Sequence, residues 1–375
     1  MKPLKIGVLG GGQLGRMMAL AGYPLNLAFT FFDNNPECPA NHLGERFGDA
    51  DYSDASLDAF IASADVFTYE FENIPTHWVE RIAAVKPVYP GVKSLAISQN
   101  RINEKTMFKA LNIPTARHAE IRTEAELRRT VELMGLPLVL KTVTMGYDGK
   151  GQFLLKTPEQ IPQAWEALGK QVPLIAEEFI QFKRELSIIA VRSQKGETVF
   201  YPLTENAHHR GILSHSIAPA PFVDNDTQLA AERYISAVLH EMEHVGALTL
   251  ELFETRHGLL ANETAPRVHN SGHWTIEGAH CSQFENHVRA VAGLPLGSTA
   301  TEKLSAMINI IGIHPRTEEI LRTTDAHLHL YGKSEREGRK LGHITVTADN
   351  GHELESRVRR IADVMPNPMA LTVSK

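Results

Sequence analysis

At 375 residues and 43% apolar, the chain is long enough for two or three domains with more than one buried core. Its 38 basic residues stand against 44 acidic ones, a net charge of −6 with no run of five like charges, which excludes a polyanion-binding tail and argues against a nucleic-acid partner. Cys38 and Cys281 lie far apart and outside any C-x-x-C spacing, so no disulfide framework, thiolate zinc site or dithiol centre is expected. No secretory cleavage site and no apolar run of bilayer-spanning length is present, so the expectation is a cytoplasmic protein without a membrane anchor.

The run Leu4 to Leu9 ends in Gly10-Gly11-Gly12 and is followed by a helix-compatible stretch, Leu14 to Gly22, and a second strand, Leu25 to Phe32. Further apolar runs at Val66 to Phe71 and Val85 to Tyr89, separated by helices such as Ser56 to Ser63, predict a doubly wound α/β domain over residues 1–98. After Asn100 the pattern becomes α+β. A helix at Met107 to Leu111 leads to short strands at 138–142, 153–156, 174–179, 186–191 and 199–202, whose brief links favour antiparallel pairing. A helix over Thr227 to Val245 precedes two strands, Ala247 to Phe253 and Leu259 to Thr264, turning at His257-Gly258. The remaining residues carry two helix-like stretches and a strand pair, Ala326 to Tyr331 and Gly342 to Thr347, read as a small β-rich closing domain over 299–375.

Gly10-x-Gly12-x-x-Gly15, with Asp33 ending the next strand, satisfies the rule for a dinucleotide fingerprint. Its physics guarantees only amides at a helix N-terminus with room for an anion, and a tight helix–strand turn has the same sequence. A second glycine-rich segment, Met145-Gly146-Tyr147-Asp148-Gly149-Lys150-Gly151-Gln152, joins two strands as a hairpin able to lay its amides against phosphates and to move as a flap. Lys105 and Lys141 are candidate phosphate clamps, although a single lysine is commonly just solvated. Glu177-Glu178-Phe179-Ile180, ending a strand, can present backbone groups to an adenine edge, with Glu185 for ribose hydroxyls; alone, the stretch reads equally as an ordinary strand pair. Glu251 and Glu263 lie inside apolar strands, where a carboxylate is costly unless paired with a cation, and Asn262 sits beside the second. Carboxylates on one face of that hairpin suit magnesium ions bridging nucleotide phosphates. Arg267 and the donor-rich run after it suggest a pocket for a small oxyanion.

The segments Leu250 to Phe253 and Asn262 to Ala279 (NETAPRVHNSGHWTIEGA) resemble the 5-(carboxyamino)imidazole ribonucleotide synthetase family of the ATP-grasp superfamily. MGYDGKGQ, the TYEFENIP stretch from Thr68 to Pro75, GGGQLGRM, and the late YGK and GRKLGH segments are similar in the same order, so the likeness spans nearly the whole chain. It implies an ATP-grasp fold: an N-terminal α/β domain at 1–98, an ATP-grasp domain at 99–298 with a mobile lid at about 115–185, and the C-terminal domain at 299–375. It implies that ATP and bicarbonate, with Mg2+ or alternatively Mn2+, give carboxyphosphate, which carboxylates the amine of 5-aminoimidazole ribonucleotide, and that the enzyme is a homodimer. Arg267 and Asn270 match positions that hold bicarbonate, and Tyr147, Asp148 and His209 become candidates for proton handling. For the ribonucleotide phosphate, Lys333, Arg339 and Lys340 supply charge beside the amides around Gly12, Gln13 and Leu14. Glu72, or alternatively Glu70, is a candidate for its ribose hydroxyls. Two other readings compete: a sister ligase such as a formate-using glycinamide ribonucleotide transformylase, and an NAD-dependent dehydrogenase resting on Gly10 to Gly15.

Overall fold

The computed structural model describes residues 2–146, 151–171 and 173–366. The first four strands, β1 (Lys5–Leu9), β2 (Ala28–Phe32), β3 (Glu45–Phe47) and β4 (Val66–Tyr69), form a parallel sheet in the order β3-β2-β1-β4. Four of the five β1 residues and all of β4 are buried, as expected of a parallel sheet covered by helices. Ser53 starts the covering helix Asp54–Ser63 by accepting from the Ser56 amide. The strand expected from Leu25 begins only at Ala28, because Tyr23–Leu25 closes as a 3-10 turn with Asn26 left-handed at φ 58°. Val85 to Tyr89 makes a single parallel bridge, Phe67 with Val88, since Pro87 has no N–H for a ladder.

The second sheet is antiparallel: β5 (His118–Ile121), β6 (Leu138–Thr142), β7 (Gln152–Leu155) and β8 (Leu174–Glu178), ordered β5-β8-β6-β7. Helices Glu124–Met134 and Ile161–Leu168 pack their apolar residues onto it, closing a core of its own around Ile121, Leu140 and Leu174.

The third sheet has nine strands: β9 (Arg184–Arg192), β10 (Thr198–Phe200), β11 (Thr204–His209), β12 (Ile212–Ala218), β13 (Gly246–Thr255), β14 (Gly258–Ala265), β15 (Leu304–Ile311), β16 (Ala326–Leu330) and β17 (Lys340–Ala348). Its order is β14-β13-β9-β11-β12-β15-β17-β16, with β10 on β9. The C-terminal strands are thus hydrogen-bonded onto β12 and share a sheet with the middle of the chain, with helix Gly351–Val364 packed beneath them. Strands β11, β12 and β15 escape a search for apolar alternation. The side chains that β11 and β12 bury include Asn206 and Ser216, satisfied by each other and, for Asn206, by Ser187.

Candidate active site

A cleft of about 1160 Å³ opens where the three sheets meet. The second sheet contributes Lys141, Gln152 and Glu177; the large sheet contributes Glu185, Glu251 and Glu263; the first sheet's loops contribute Gln13 and Glu72; and the C-terminal strands contribute Tyr331 and Lys340. Single-ligand pockets commonly span about 300 to 1000 Å³, so this cleft has room for more than one small molecule.

Its floor is the hairpin β13–β14. Leu250 pairs with Thr264 and Leu252 with Ala261, so two residues, Asn262 and Glu263, face the single Glu251 across a β-bulge. The bulge is what lets both join Glu251 at the cleft, where regular alternation would send neighbours to opposite faces. Burial, and then the nearby Glu263 charge, push the Glu251 carboxyl up. Burial acts the same way on Glu263, but Arg101, Lys141 and Lys105 outweigh it and hold that carboxyl below the usual range. Arg101 Nη1 stands 2.5 Å from Glu263 Oε2. His269 accepts from the Ser271 amide at Nδ1 and so presents Nε2–H to Glu251, 3.3 Å away.

Lys141 points in from the second sheet, 2.6 Å from Glu177 Oε2. Lys105 does not reach the cleft: its ammonium, 1% exposed, donates to Thr115 Oγ1 and to the Asn262 carbonyl, and lies 3.6 Å from Glu177. The cation facing the cavity from that helix is Arg101, one turn upstream on the same face. Lys105 instead supports β14 from behind, so its assignment as a direct clamp is corrected. Glu177 is correspondingly a counter-charge between two lysines as well as a lining residue.

Of the other expected nucleotide residues, Gly146, Gly151, Gln152, Glu178, Phe179, Ile180, Glu185 and Asn262 line the cleft. Tyr147, Asp148, Gly149 and Lys150 lie outside the described residues. His209 is exposed and away from the cavity. Its neighbour His208 lines it, on the same face of β11 as Asn206, whose partner across the sheet is Glu185, and His208 Nδ1 sits 2.7 Å from Glu185 Oε2. Burial would lower the His208 pKa, but the Glu185 hydrogen bond and charge raise it. Phe182 and Phe253, stacked at 4.8 Å and 13°, form an apolar wall that the sequence reading passed over.

At the other end, Arg267 grips Glu72 through two guanidinium nitrogens, Nη2 donating to Oε1 at 2.9 Å and Nε to Oε2. Burial acts against the charged Arg267, but Glu72 more than compensates, and its pKa rises. Asn270 exchanges two amide hydrogen bonds with Asn309 of β15, at 3.0 and 2.7 Å, which ties the C-terminal strands to the pocket. Lys333, Arg336, Arg339 and Lys340 gather beside Gln13 and Leu14. Burial lowers Lys333 to about 8, and it donates to Gln13 Oε1 at 2.5 Å.

Gly12 corrects the reading of the first motif. Its amide and that of Gly15 donate to the two oxygens of Glu70, and the Gly11 amide donates to Asp33 Oδ2 at 2.9 Å. A Cβ on Gly12 would meet Glu70 Oε1 at 2.5 Å. The glycines therefore make room for an internal carboxylate. Asp33 is turned onto the loop, which leaves neither a pyrophosphate cradle nor a ribose acceptor for a dinucleotide.

Residues 106–284 match the ATP-grasp domain, residues 1–99 the ribonucleotide synthetase preATP-grasp domain, and residues 305–357 the phosphoribosylaminoimidazole carboxylase C-terminal domain. Together with a cleft between the antiparallel second sheet and a carboxylate-bearing hairpin, these matches define an ATP-grasp enzyme. A Pseudomonas aeruginosa protein named N5-carboxyaminoimidazole ribonucleotide synthase is 49% identical, covering 96% of this chain and 98% of its own. The crystal structure of the Thermus thermophilus synthetase of that name superposes with a TM-score of 0.93 at 46% identity, covering 98% and 100% of the two chains. An Aspergillus clavatus synthase, in complex with ADP and 5-aminoimidazole ribonucleotide, gives 0.90 at 33% identity over 98% and 100%. The chain belongs to the N5-carboxyaminoimidazole ribonucleotide synthase family.

Proposed function

We propose that this chain is an ATP-dependent carbon–nitrogen ligase that carboxylates the amine of 5-aminoimidazole ribonucleotide with bicarbonate, releasing ADP and phosphate. The observation that carries this reading is the union, in one cleft, of a nucleotide-sized slot and a separate basic end beside the first sheet. At the nucleotide end, Phe182 and Phe253 offer an apolar wall, the 177–180 backbone an edge, and Glu185 with His208 a hydrogen-bonding pair for ribose. Lys141 and Arg101 bring positive charge to the phosphates.

The donor set at Glu251, Asn262 and Glu263 consists of oxygens, with two half-buried carboxylates, one of which has its pKa raised by burial and then by the other's charge, and this fits Mg2+. Among the described residues no three His, Cys, Asp or Glu side chains converge as a complete metal cage. Glu251 and Glu263 are the residues that would hold the ion. When bound, Mg2+ would supply charge neutralisation on the transferring phosphoryl group.

Bicarbonate is a weak nucleophile, so its attack on the γ-phosphorus depends on orientation and on charge held in place beforehand. Arg267, kept rigid by its two-pronged grip on Glu72, and Asn270, kept rigid by Asn309, are the groups that orient it. The carboxyphosphate so formed decays in water. A lid at about 115–185 closing over the cleft excludes solvent while the ribonucleotide amine attacks. Lys333, Arg339 and Lys340, with the Gln13 and Leu14 amides that Glu70 leaves available, hold the ribonucleotide's phosphate.

The test is phosphate release from ATP in bicarbonate buffer with Mg2+. Release is expected only when 5-aminoimidazole ribonucleotide is added. Equal release with glycinamide ribonucleotide and formate, or release indifferent to the ribonucleotide, overturns the proposal.

A further inference from the structure

Glu70 follows directly on β4, is 8% exposed, and takes no part in the chemistry above. A carboxylate removed from water to that degree is costly unless its oxygens are bonded. Here both are: one accepts from the Gly12 amide and the other from the Gly15 amide at 2.7 Å, at the positive end of the ten-residue helix Gln13–Gly22. The fit is tight. A Cβ on Gly10 would lie 2.6 Å from Glu70 Cγ, and Gly10 has φ +104°, a conformation glycine tolerates. Between the two bonded amides lie Gln13 and Leu14, both on the cleft wall, and Gln13 Oε1 accepts from the Lys333 ammonium.

We infer that Glu70 is a positioning residue for the ribonucleotide subsite: an internal anion around which the glycine turn is built, so that Gln13 and, through it, Lys333 stand where the substrate's phosphate is bound. This rests on the functional reading above. Glu70 fills the outer positions of an anion hole with protein charge and reserves the two middle positions for ligand. Without it, the turn would be free to present all its amides to solvent or to an adventitious anion, and the Gln13–Lys333 contact would lose its fixed anchor.

The experiment is steady-state kinetics of the full chain carrying Glu70→Ala, with KM measured separately for the ribonucleotide and for ATP. The expected result is a ribonucleotide KM raised about tenfold or more while KM for ATP and kcat stay within about twofold, because only one subsite is disordered. Millimolar acetate, which can occupy the vacated hole, restores the ribonucleotide KM, whereas equal sodium chloride or neutral acetamide does not. Glu70→Gln, which keeps the shape but can accept from only one of the two amides, falls between wild type and Glu70→Ala. The inference is overturned if both KM values rise together, if acetate restores nothing, or if Glu70→Gln matches wild type. Should Glu70→Ala fail to fold, Glu70→Gln alone decides: an isolated rise in ribonucleotide KM supports the role, and unchanged or uniformly impaired kinetics rejects it. Failure of the functional reading is distinct, since wild type itself would then show no ribonucleotide-dependent phosphate release.

Discussion

The glycine turn at 10–15 and the hairpin β13–β14 pose opposite charge problems. In the turn, a buried carboxylate meets amides of its own chain and the charge is settled within the protein. In the hairpin, two half-buried carboxylates face each other, and although Arg101 answers Glu263, Glu251 has beside it, among the described residues, an imidazole N–H, the Asn262 amide and the more distant His208. Both regions look like ligand sites in sequence. The difference teaches that, of these buried or half-buried carboxylates, the one fully bonded by its own chain, Glu70, shapes the loop beside the cleft, whereas the least answered one, Glu251, faces the cleft itself.

The largest expected effect comes from removing one charge of that hairpin pair. Glu263→Gln keeps the size of the side chain but abolishes half of the cation-binding pair, and should lower kcat by roughly 100-fold or more, the scale on which electrostatic stabilisation of a transferring group acts. Circular dichroism should be unchanged, because the glutamine can still accept from Arg101. Turnover within a few-fold of wild type would remove Glu263 from phosphoryl transfer.

Next in size is Arg267→Lys. A lysine keeps the charge but cannot reproduce the two-pronged grip on Glu72, so the group meant to orient bicarbonate becomes mobile. The expectation is a loss of about tenfold or more in kcat/KM for bicarbonate, with KM for ATP little changed. A loss confined to ATP would shift Arg267 from the bicarbonate end to the nucleotide end.

How much of this was legible beforehand depended on distance along the chain. Glu251 and Glu263 stood out because a carboxylate inside an apolar run is anomalous wherever it occurs, and Arg267 followed within four residues of the second. His208 was missed in favour of His209 because β11 does not read as a strand, and without its partner β9 nothing shows which of the two neighbours shares a face with Glu185. Arg101 was passed over for Lys105, one helical turn away, since the end of the helix that faces the cavity depends on where β14 docks. Glu70 was weighed only as a ribose acceptor: its partners lie 55 and 58 residues upstream, a pairing created by the β1–β4 register alone. The polar strands β11 and β12 hid because they bury hydrogen-bonded side chains in place of apolar ones.

Charge kept out of the interior also governs stability. His287 accepts from the Ala247 amide at Nδ1, 3.0 Å, and so donates from Nε2 to Thr68 Oγ1 at 2.9 Å, joining the first sheet to β13. His244 donates from Nε2 to the Ala247 carbonyl at 2.9 Å and accepts from Ser94 Oγ at 2.7 Å. Burial lowers their pKa values to about 4 and about 3, from 6.5 for an unperturbed histidine. Their contribution is therefore fully present above pH 6.5 and is lost as pH falls toward the folded values, where only the unfolded chain takes up protons. Between pH 6 and 4.5 the unfolding free energy should drop by about 1.4 kcal/mol per pH unit for each histidine, beyond whatever the carboxylates contribute. Urea unfolding across that range checks it. In His287→Gln the slope should shallow by one histidine's share, and an undiminished slope would mean that these rings are not the acid-sensitive element.

The smallest effect separates the nucleotide end from the rest of the cleft. Phe182 and Phe253 stack on each other from different segments, so Phe182→Ala removes a wall without touching any charge. Loss of one aromatic contact is worth about 0.5 to 1.5 kcal/mol, which corresponds to a rise of roughly two- to twelvefold in KM for ATP. KM for the ribonucleotide should stay put, since Lys333 and Gln13 reach the cleft from the first sheet and the C-terminal strands and do not depend on the aromatic wall. A matching rise in both constants would show that the two ends of the cleft are coupled, and the distinction between settled and waiting charge would then have to be drawn for the cleft as a whole.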